Sequence, residues 1–403
     1  MTASISDSLP EHWKYVSEGG ATIVYSYTGP PNTQFNGTVL RLRKSKDTTS
    51  APIKDNQDEP DDPTIEYQDK CMQRLIPLEH LPRLESVRVH RQWLEELVAL
   101  HDADRPEARR QKDQVDLTRT KGVLATDLVG GDWLAVEIKI LHAFGNENLY
   151  SGDELRVRKA VNDLWGAWAD SNGMVNNLKI FVQGKTITPD QAHLIMAVLG
   201  TESGMDGIRE GFVSALLPTL LNTSVLHTLS NLQRTLDVLD IEGLSQLWRQ
   251  AETSNPLYRA KFGSSLEQTS SGNTSIPTPC LPFGVSSDSI AFKEPTIDDW
   301  TEFLDIYTAD TQIDHTNPTP ENLRYYLLAY LLSATFKDCS IIVRLDRLRH
   351  TATAQGIQPG QINVIDLDLK NIERLRKWEK IDQEIVNTYT LANARKTCID
   401  AWR

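Results

Sequence analysis

The acidic run at residues 365–370 (IDLDLK) is the strongest candidate for chemistry in the sequence. It continues the apolar run of residues 362–365, which predicts a buried strand. Carboxylates at a strand end suit Mg²⁺, which takes one or two carboxylates and completes its shell with substrate phosphates. Asp366 and Asp368 are therefore candidate metal ligands. The alternative interpretation is a charged strand-to-helix loop that holds no ligand.

Two adjacent glycines near the N-terminus form the second candidate. Gly19 and Gly20 lie between two β-type runs, and adjacent glycines let backbone N–H groups approach a phosphate closely. Arg41 lies in a later strand-like run, where a cation could reach nucleotide phosphates as the β3 lysine of protein kinases does. Neither a Walker A loop nor a GxGxxG pattern is present. A structural hairpin turn and an exposed strand charge are the alternatives.

Two shorter polar patterns complete the candidates. Glu137 and Lys139 lie two residues apart in a strand-like run, so they share one face. Their alternative is a surface ion pair of little energetic value. Asp338 lies in a short polar turn between a long apolar helix and a predicted strand, which suits a general base. Its alternative is an ordinary loop at a helix end.

The composition limits the class of protein. The 403 residues carry a formal net charge of −13 at pH 7, which argues against general nucleic-acid binding. No run of about 18 apolar residues predicts a membrane-spanning helix, and the first residues lack a signal-peptide pattern. Scattered cysteines favour a reducing compartment, so we expect a nuclear or cytoplasmic protein. They are Cys71, Cys280, Cys339 and Cys398, and no CxxC pair predicts a zinc site.

The hydrophobic pattern predicts the elements that must position these residues. Residues 12–44 contain β-branched or alternating runs that predict strands. Residues 46–66 are polar enough to predict a mobile surface insertion. Residues 122–126 and 133–139 predict two more strands, which could pair as a hairpin across the Gly-rich turn at 129–132.

Helical spacing dominates after about residue 150. Residues 253–289 are rich in Ser, Thr, Pro and Gly and predict a long loop. A last helix is predicted from about Asn371, with four apolar residues facing inward: Leu375, Trp378, Ile381 and Ile385. The predicted fold class is α+β, with a β-rich N-terminal lobe over residues 1–130 and a larger α+β C-terminal lobe over residues 131–403.

Several of these segments, taken in order along the chain, resemble the inositol-pentakisphosphate 2-kinase family. Residues 137–139 (EIK) match the start of the family's EIKPK motif, and residues 337–340 and 366–370 are similar to its C-terminal signatures. The other similar blocks are residues 18–21 with 39–41, 85–89, 149–152, 176–181 and 380–386. Several blocks in the right order are more specific than any single block.

The resemblance implies a two-lobed kinase-like fold that uses ATP and Mg²⁺. The implied reaction phosphorylates the axial 2-hydroxyl of inositol 1,3,4,5,6-pentakisphosphate and gives phytate. Residues 124–128 would form the hinge beside adenine, and Lys179 stands where the family often has an ATP-contacting arginine. The implied monomer has no nucleic-acid or membrane partner.

The resemblance also implies a role for each matching residue. Asp338 would accept the proton of the 2-hydroxyl, and Asp366 and Asp368 would bind the metal. The residues that would bind ATP are Gly19, Gly20, Arg41, Asp127, Glu137 and Lys179. The residues that would bind inositol phosphates are Arg88, Lys139, Asn176, Asn177, Lys370 and Arg374. The basic residues among these are spread along the chain. At one cleft, their local positive field would outweigh the negative net charge.

The sequence departs from the family pattern at three places. Thr22 replaces an asparagine of the glycine-rich loop, and Ile140-Leu141 replaces the Pro-Lys of the EIKPK motif. The RxxMHQxxK block is absent, because Lys139 and Leu149 lie only ten positions apart. Either the segment is truly lost, which would give a weak enzyme or an interaction module, or an error in the gene prediction removed an exon or translated across an intron. We expect greatly reduced inositol phosphate affinity for this chain.

Overall fold

A computed structural model of the chain describes residues 3–45, 59–139, 149, 152–173, 177–200, 204–254, 294–309, 315–346 and 361–391. Contacts between Cα atoms divide the chain into two compact units. One unit is Met1–His227 with Cys339–Asp366, and the other is Thr228–Asp338 with Leu367–Arg403. Both sheets belong to the first unit, and the described elements wholly within the second are helices, so the predicted α+β class is confirmed. The lobe boundary at residue 130 stays a prediction.

The first sheet has seven strands in the order β1-β5-β7-β4-β3-β2, with β6 paired to β4. Its strands are β1 Ala3–Ser4, β2 Trp13–Glu18, β3 Thr22–Tyr27, β4 Thr38–Ser45, β5 Leu84–Arg88, β6 Gln114–Val115 and β7 Lys121–Thr126. The alternation along β3 and β4 buries Ile23, Tyr25, Leu40 and Leu42 on one face, where they form a core. The strands predicted within residues 12–44 are therefore confirmed.

The second sheet has five strands in the order β10-β9-β8-β11-β12, and every pair is antiparallel. The strands are β8 Trp133–Lys139, β9 Leu178–Val182, β10 Lys185–Thr186, β11 Ser340–Asp346 and β12 Gln361–Ile365. Leu134, Ala135 and Val136 of β8 are fully buried in succession. Such a run needs neighbours on both sides and cover on both faces, and β8 accordingly lies between β9 and β11.

The hairpin predicted from residues 122–126 and 133–139 is wrong. Strand β7 pairs with β4 and β5 in the first sheet, whereas β8 pairs with β9 and β11 in the second. The connection between them is bent by Asp127, whose Oδ1 accepts hydrogen bonds from the backbone N–H groups of Val129 and Gly130. This turn carries the chain from one sheet to the other rather than back along β7.

The end of the predicted mobile insertion is fixed to the first sheet, while residues 46–58 lie outside the described residues. The buried carboxylate of Glu59 accepts hydrogen bonds from the Arg119 side chain and from the backbone N–H groups of Thr120 and Lys121. Asp62 accepts two hydrogen bonds from Arg43 and caps the helix that follows. Glu59 and Asp62, whose polarity contributes to the prediction of a mobile segment, therefore attach residues 59–66 to the first sheet.

Helices pack against strands of both sheets in the first unit. The helices described wholly within this unit are α1 Pro63–Lys70, α2 Arg91–His101, α3 Glu107–Arg110, α4 Glu154–Asp170, α5 His193–Leu199 and α6 Met205–Leu221. A short 3₁₀ turn, Pro189–Gln191, lies just before α5. Among the described residues no single helix is long and apolar enough to span a membrane. Only the bent pair Met205–Leu221 and Val225–Thr235 meets the length and composition test together.

The remaining helices are α7 Val225–Thr235, which crosses the unit boundary, and α8 Ile241–Ser254, α9 Ile297–Thr308, α10 Leu323–Asp338 and α11 Glu373–Leu391 of the second unit. Of the predicted loop at 253–289, residues 253 and 254 close α8, and the rest lies outside the described residues. The prediction for α11 is partly wrong. Leu375 is buried, but Ile381 is 39 % and Ile385 is 61 % exposed. Helical spacing defines a shared face, but it does not say how far along α11 its neighbours extend.

Candidate active site

A cross-strand ion pair lies near the end of the second sheet. Glu137 of β8 and Lys179 of β9 are register partners, and Lys179 Nζ donates to Glu137 Oε1 at 2.9 Å. The Glu137 side chain is largely buried and that of Lys179 is about one-third exposed. Lys139 lies two residues after Glu137 on the same face. The structure therefore brings together three of the predicted site residues, through a pairing that the sequence analysis did not anticipate.

An apolar surface adjoins this ion pair and was missed by the sequence analysis. Ala135 shares the face of Glu137, and it packs with Phe181 and Ile342 of the neighbouring strands. The buried members are Val129, Ala135, Phe181 and Ile342, and the partly buried residues packed against them are Val16, Leu128, Trp133 and Ile365. Val16 comes from β2 of the first sheet, so both sheets contribute. In the sequence, nothing distinguishes these residues from other apolar residues of buried strands.

The predicted hinge at residues 124–128 leads into this surface. Asp127 is buried, and its Oδ2 accepts a hydrogen bond from Ser26 Oγ of β3. Because its Oδ1 holds the turn at Val129 and Gly130, both carboxylate oxygens are engaged within the chain. The Asp127 side chain thus fixes the turn after β7, and both the hinge role and the contact with a nucleotide stay predictions.

The two glycines form the exposed turn between β2 and β3. Gly19 N–H donates to the Thr22 carbonyl at 2.9 Å, and a Cβ built on Gly19 or Gly20 would meet no atom within 4 Å. Arg41 of β4 pairs in register with Val24 and lies on the sheet face opposite the core. No carboxylate lies within ion-pair distance of Arg41 in the part of the chain that the structure describes. Its guanidinium is therefore available to an anion.

In the second unit, Asp338 and Lys370 form an ion pair. Lys370 Nζ donates to Asp338 Oδ2 at 2.8 Å, from a side chain that is 7 % exposed to one that is 49 % exposed. Asp338 is the last residue of α10, and Lys370 lies just before α11. Near this pair, the Thr335 hydroxyl of α10 donates to the Asp368 carbonyl at 3.1 Å, which ties residue 368 to that helix. A buried ammonium thus orients an exposed carboxylate, as a proton acceptor requires.

The two predicted metal ligands both have exposed side chains, Asp366 in the first unit and Asp368 in the second. Asp366 has φ +62°, a left-handed conformation that aspartate tolerates better than most residues, and it ends β12 abruptly. Exposed carboxylates match the hard oxygen donors that Mg²⁺ prefers, and one or two suffice beside phosphate oxygens. Over the described ranges, no group of three or more His, Cys, Asp or Glu side chains could form a metal site.

The other predicted substrate residues are spread over both units. Arg88 is exposed at the end of β5, and Arg374 is exposed in the first turn of α11. Asn177 lies beside Lys139, because its carbonyl accepts the Lys139 N–H at 3.0 Å. Asn176 lies outside the described residues.

A comparison with family models decides the family. The model for inositol-pentakisphosphate 2-kinase matches residues 15–139 and 146–384, which is most of the chain. The chain belongs to the inositol-pentakisphosphate 2-kinase family. Membership places it among the phosphotransferases that act on an alcohol group.

Curated relatives of this family align along nearly the whole chain. A protein of Cryptococcus neoformans var. neoformans serotype D (strain JEC21), named inositol-pentakisphosphate 2-kinase, is 29 % identical over 430 residues, which cover 94 % of each chain. A protein of the same name from Arabidopsis thaliana is 23 % identical over 483 residues, covering 96 % of this chain and 95 % of the relative. The match to the inositol-pentakisphosphate 2-kinase model breaks at residues 140–145, within the interval between Lys139 and Leu149 where the RxxMHQxxK block is absent.

Proposed function

We propose that this chain transfers the γ-phosphoryl group of ATP to the 2-hydroxyl of inositol 1,3,4,5,6-pentakisphosphate and forms inositol hexakisphosphate. The observation that carries the proposal is the Asp338–Lys370 pair, an exposed carboxylate held by a buried lysine in a member of the 2-kinase family. Relatives from a fungus and a plant carry the name of this activity.

In the proposed reaction, the oxygen of the 2-hydroxyl attacks the γ-phosphorus while the bond to the β–γ bridging oxygen breaks and ADP leaves. Asp338 accepts the proton of the attacking hydroxyl, and Lys370 keeps the accepting oxygen in place. Phosphoryl transfer depends on positioning and charge neutralisation more than on covalent assistance. The proposed roles of the chain's residues are therefore those of binding, orientation and one proton transfer.

The nucleotide contacts are proposed within the first unit. The partly buried members of the apolar surface would take the adenine, since a planar base needs flat apolar cover; they are Val16, Leu128, Trp133 and Ile365. Arg41, with no carboxylate partner among the described residues, would bind phosphate oxygens together with the exposed turn at Gly19 and Gly20. The Glu137–Lys179 pair adjoins the apolar surface and would place a cation beside the nucleotide.

Asp366, with Asp368, would hold the Mg²⁺ that accompanies ATP. When bound, the ion neutralises charge on the phosphate oxygens. The inositol phosphates would be bound by Arg88, Lys139, Asn176, Asn177, Lys370 and Arg374. The absent RxxMHQxxK block removes further basic contacts, so we propose weaker binding of inositol phosphates than in family members that retain it.

The break at residues 140–145 favours a second candidate function. In this alternative the chain binds nucleotide or inositol phosphate and acts through protein contacts without turnover. The first candidate function forms inositol hexakisphosphate, and the second does not.

The test is incubation of the full chain with Mg·ATP and inositol pentakisphosphate, with the hexakisphosphate measured by chromatography. Asp338→Ala and Asp366→Ala should abolish turnover, whereas Asp163→Ala, a change in an exposed pair on α4, should not. Absence of product from a wild-type chain that still binds Mg·ATP would reject the proposed reaction and support the second candidate. Turnover and substrate affinity equal to those of the Cryptococcus relative would refute the proposed weakening.

A further inference from the structure

Four charged side chains are buried together beneath the turn at Gly19 and Gly20. They are Glu18, Lys44, Arg105 and Asp113, and each side chain is at most 7 % exposed. Two are cations and two are carboxylates, so the group is neutral as a whole. In the sequence, only Glu18 among these four belongs to a block that resembles the family.

The contacts within this charged group converge on Glu18. Arg105 binds its carboxylate with two parallel hydrogen bonds, Nε to Oε1 at 3.2 Å and Nη2 to Oε2 at 3.0 Å. The Lys44 ammonium contacts Glu18 and also Asp113 Oδ1, the latter at 2.9 Å. Arg105 Nη2 donates to the Asp113 carbonyl at 2.9 Å, which ties the group together. Bidentate Arg–carboxylate pairs fix geometry as well as charge.

The group is joined to the glycine turn on both of its sides. Glu18 is the last residue of β2 and directly precedes Gly19. On the other side, the backbone N–H of Lys44 donates to the Ala21 carbonyl at 3.0 Å. Lys44 therefore contacts Glu18, before the glycines, through its ammonium and Ala21, after them, through its backbone N–H.

Within the turn itself, Gly19 N–H donates to the Thr22 carbonyl at 2.9 Å, and the buried charged group adds support from outside it. Gly19 and Gly20 are exposed, and no atom lies within 4 Å of where their side chains would begin. Two adjacent glycines have wide conformational freedom. Burial of four charges is expensive, and an apolar group of similar volume would often be at least as stable. The buried charges are thus better explained by placement of the turn than by stability.

We propose that Lys44 and Arg105 are positioning residues that hold the Gly19–Gly20 turn where the Gly20 backbone N–H meets the phosphates of ATP, since the Gly19 N–H already donates to the Thr22 carbonyl. This inference rests on the proposed nucleotide site, because the turn is its phosphate-binding part. Neither side chain reaches the nucleotide; both act through Glu18. The charged state of Glu18 agrees with this role. Burial raises the pKa of its carboxyl, but the hydrogen bonds and charges of Arg105 and Lys44 outweigh burial and bring the pKa below its ordinary value.

The first test compares Lys44→Met with a control on the same strand. Lys44→Met keeps most of the aliphatic chain and removes the contact to Glu18. We expect it to weaken Mg·ATP binding about tenfold, with kcat and the KM for inositol pentakisphosphate within about twofold of wild type. Arg43→Gln breaks the neighbouring ion pair with Asp62, on the opposite face of β4, and should leave Mg·ATP binding unchanged.

A double variant separates positioning from a general structural role. Lys44→Met alone leaves the buried group with one excess negative charge, so stability should fall. Asp113→Asn added to Lys44→Met restores neutrality and should recover the melting temperature, but it does not restore the contact to Glu18. We expect the weakened Mg·ATP binding to persist in this double variant. Recovery of Mg·ATP binding together with stability would overturn the inference.

The readout is the dissociation constant of Mg·ATP, measured by calorimetry without inositol pentakisphosphate. It therefore does not depend on turnover. A wild-type chain that binds Mg·ATP but forms no hexakisphosphate rejects the proposed reaction, while the effect of Lys44→Met on nucleotide binding still supports or overturns the positioning role. A wild-type chain that binds no Mg·ATP overturns the positioning role as well.

Discussion

Lys370 holds Asp338 through a hydrogen bond of 2.8 Å between Nζ and Oδ2, although the two residues are separated by 32 positions in the chain. The ammonium is buried and the carboxylate is half exposed. A reacting hydroxyl could approach Asp338 from solvent while the lysine fixes the direction of its accepting oxygen. The resemblance to the family assigns Lys370 to inositol phosphates, which stays a prediction, and the structure shows its contact with Asp338.

Asp338→Asn tests the proton acceptor. The amide keeps the shape of the side chain and can still accept from Lys370, but it cannot take up the proton of the 2-hydroxyl. We expect kcat to fall about 10²- to 10⁴-fold, with Mg·ATP affinity unchanged. Steady-state kinetics and calorimetry measure the two quantities. Asp298→Asn, at an exposed position in α9, is the matched control, and a kcat for Asp338→Asn equal to that of this control would contradict the assignment.

Lys179→Met tests the cross-strand pair with Glu137. The substitution removes a cation that we place beside the nucleotide, and it leaves the largely buried Glu137 carboxylate without its ammonium partner. We expect Mg·ATP binding to weaken by about tenfold, corresponding to about 1.4 kcal/mol. Lys185→Met, at an exposed site on β10, should have no effect. Equal nucleotide dissociation constants for the two variants would remove Lys179 from the proposed site.

Glu59→Gln tests the fixed end of the polar segment at residues 59–66. The buried Glu59 carboxylate accepts hydrogen bonds from the Arg119 side chain and from backbone N–H groups. In the glutamine variant, the NH₂ group of the amide would itself be a donor and would face these donors. The free energy of unfolding should fall by about 1–3 kcal/mol. Glu66→Gln, which breaks an exposed pair with Lys70, should change it by less than about 0.5 kcal/mol. Urea unfolding compares the two, and similar losses would show that Glu59 does not fix the segment.

Acid should destabilise the protein through Glu18 and Asp62. Burial raises the pKa of Asp62, but hydrogen bonds from Arg43 and Thr64 outweigh burial, so its pKa lies below the ordinary value of 3.8. The pKa of Glu18 likewise lies below 4.5. As the pH falls, these two carboxylates are protonated in the unfolded chain before they are protonated in the folded protein. The free energy of unfolding should therefore fall as the pH drops below 4.5 and through the lowered pKa values of the folded protein.

Asp62→Asn isolates one part of that pH dependence. Asparagine remains a good helix N-cap for α1 but no longer titrates. Unfolding by urea, measured between about pH 6 and pH 3, should give a shallower slope of unfolding free energy against pH for the variant. A slope as steep as that of wild type would show that Asp62 does not contribute.

The sequence predicted the strands of the N-terminal region and several helices because their signals are local. Alternation over β3 and β4, and the helical spacing after about residue 150, depend only on the period of each element. The family resemblance was also accessible, since it rests on short blocks in a fixed order. The match of the family model over residues 15–139 and 146–384 confirms that resemblance.

Contacts between distant segments could not be predicted in this way. Glu137 and Lys179 lie 42 positions apart, and their pairing follows from the register of β8 with β9. The predicted hairpin of β7 and β8 is wrong for the same reason. The sheet that a strand joins depends on all the other strands that could pair with it, including strands far away in the sequence. Neither the apolar surface around Phe181 nor the charged group around Glu18 has a local sequence signature.

The sequence by itself therefore determined the periods of the elements, the family blocks and the types of residue available for chemistry. Only the tertiary structure decided which of those residues meet, which are buried and which remain exposed. Lys370 and Asp338 make contact, whereas Ile381 and Ile385 of α11 remain exposed. The physical reason is that burial and ion pairing depend on strand register and on the reach of neighbouring helices. These are properties of the packed chain rather than of any single segment.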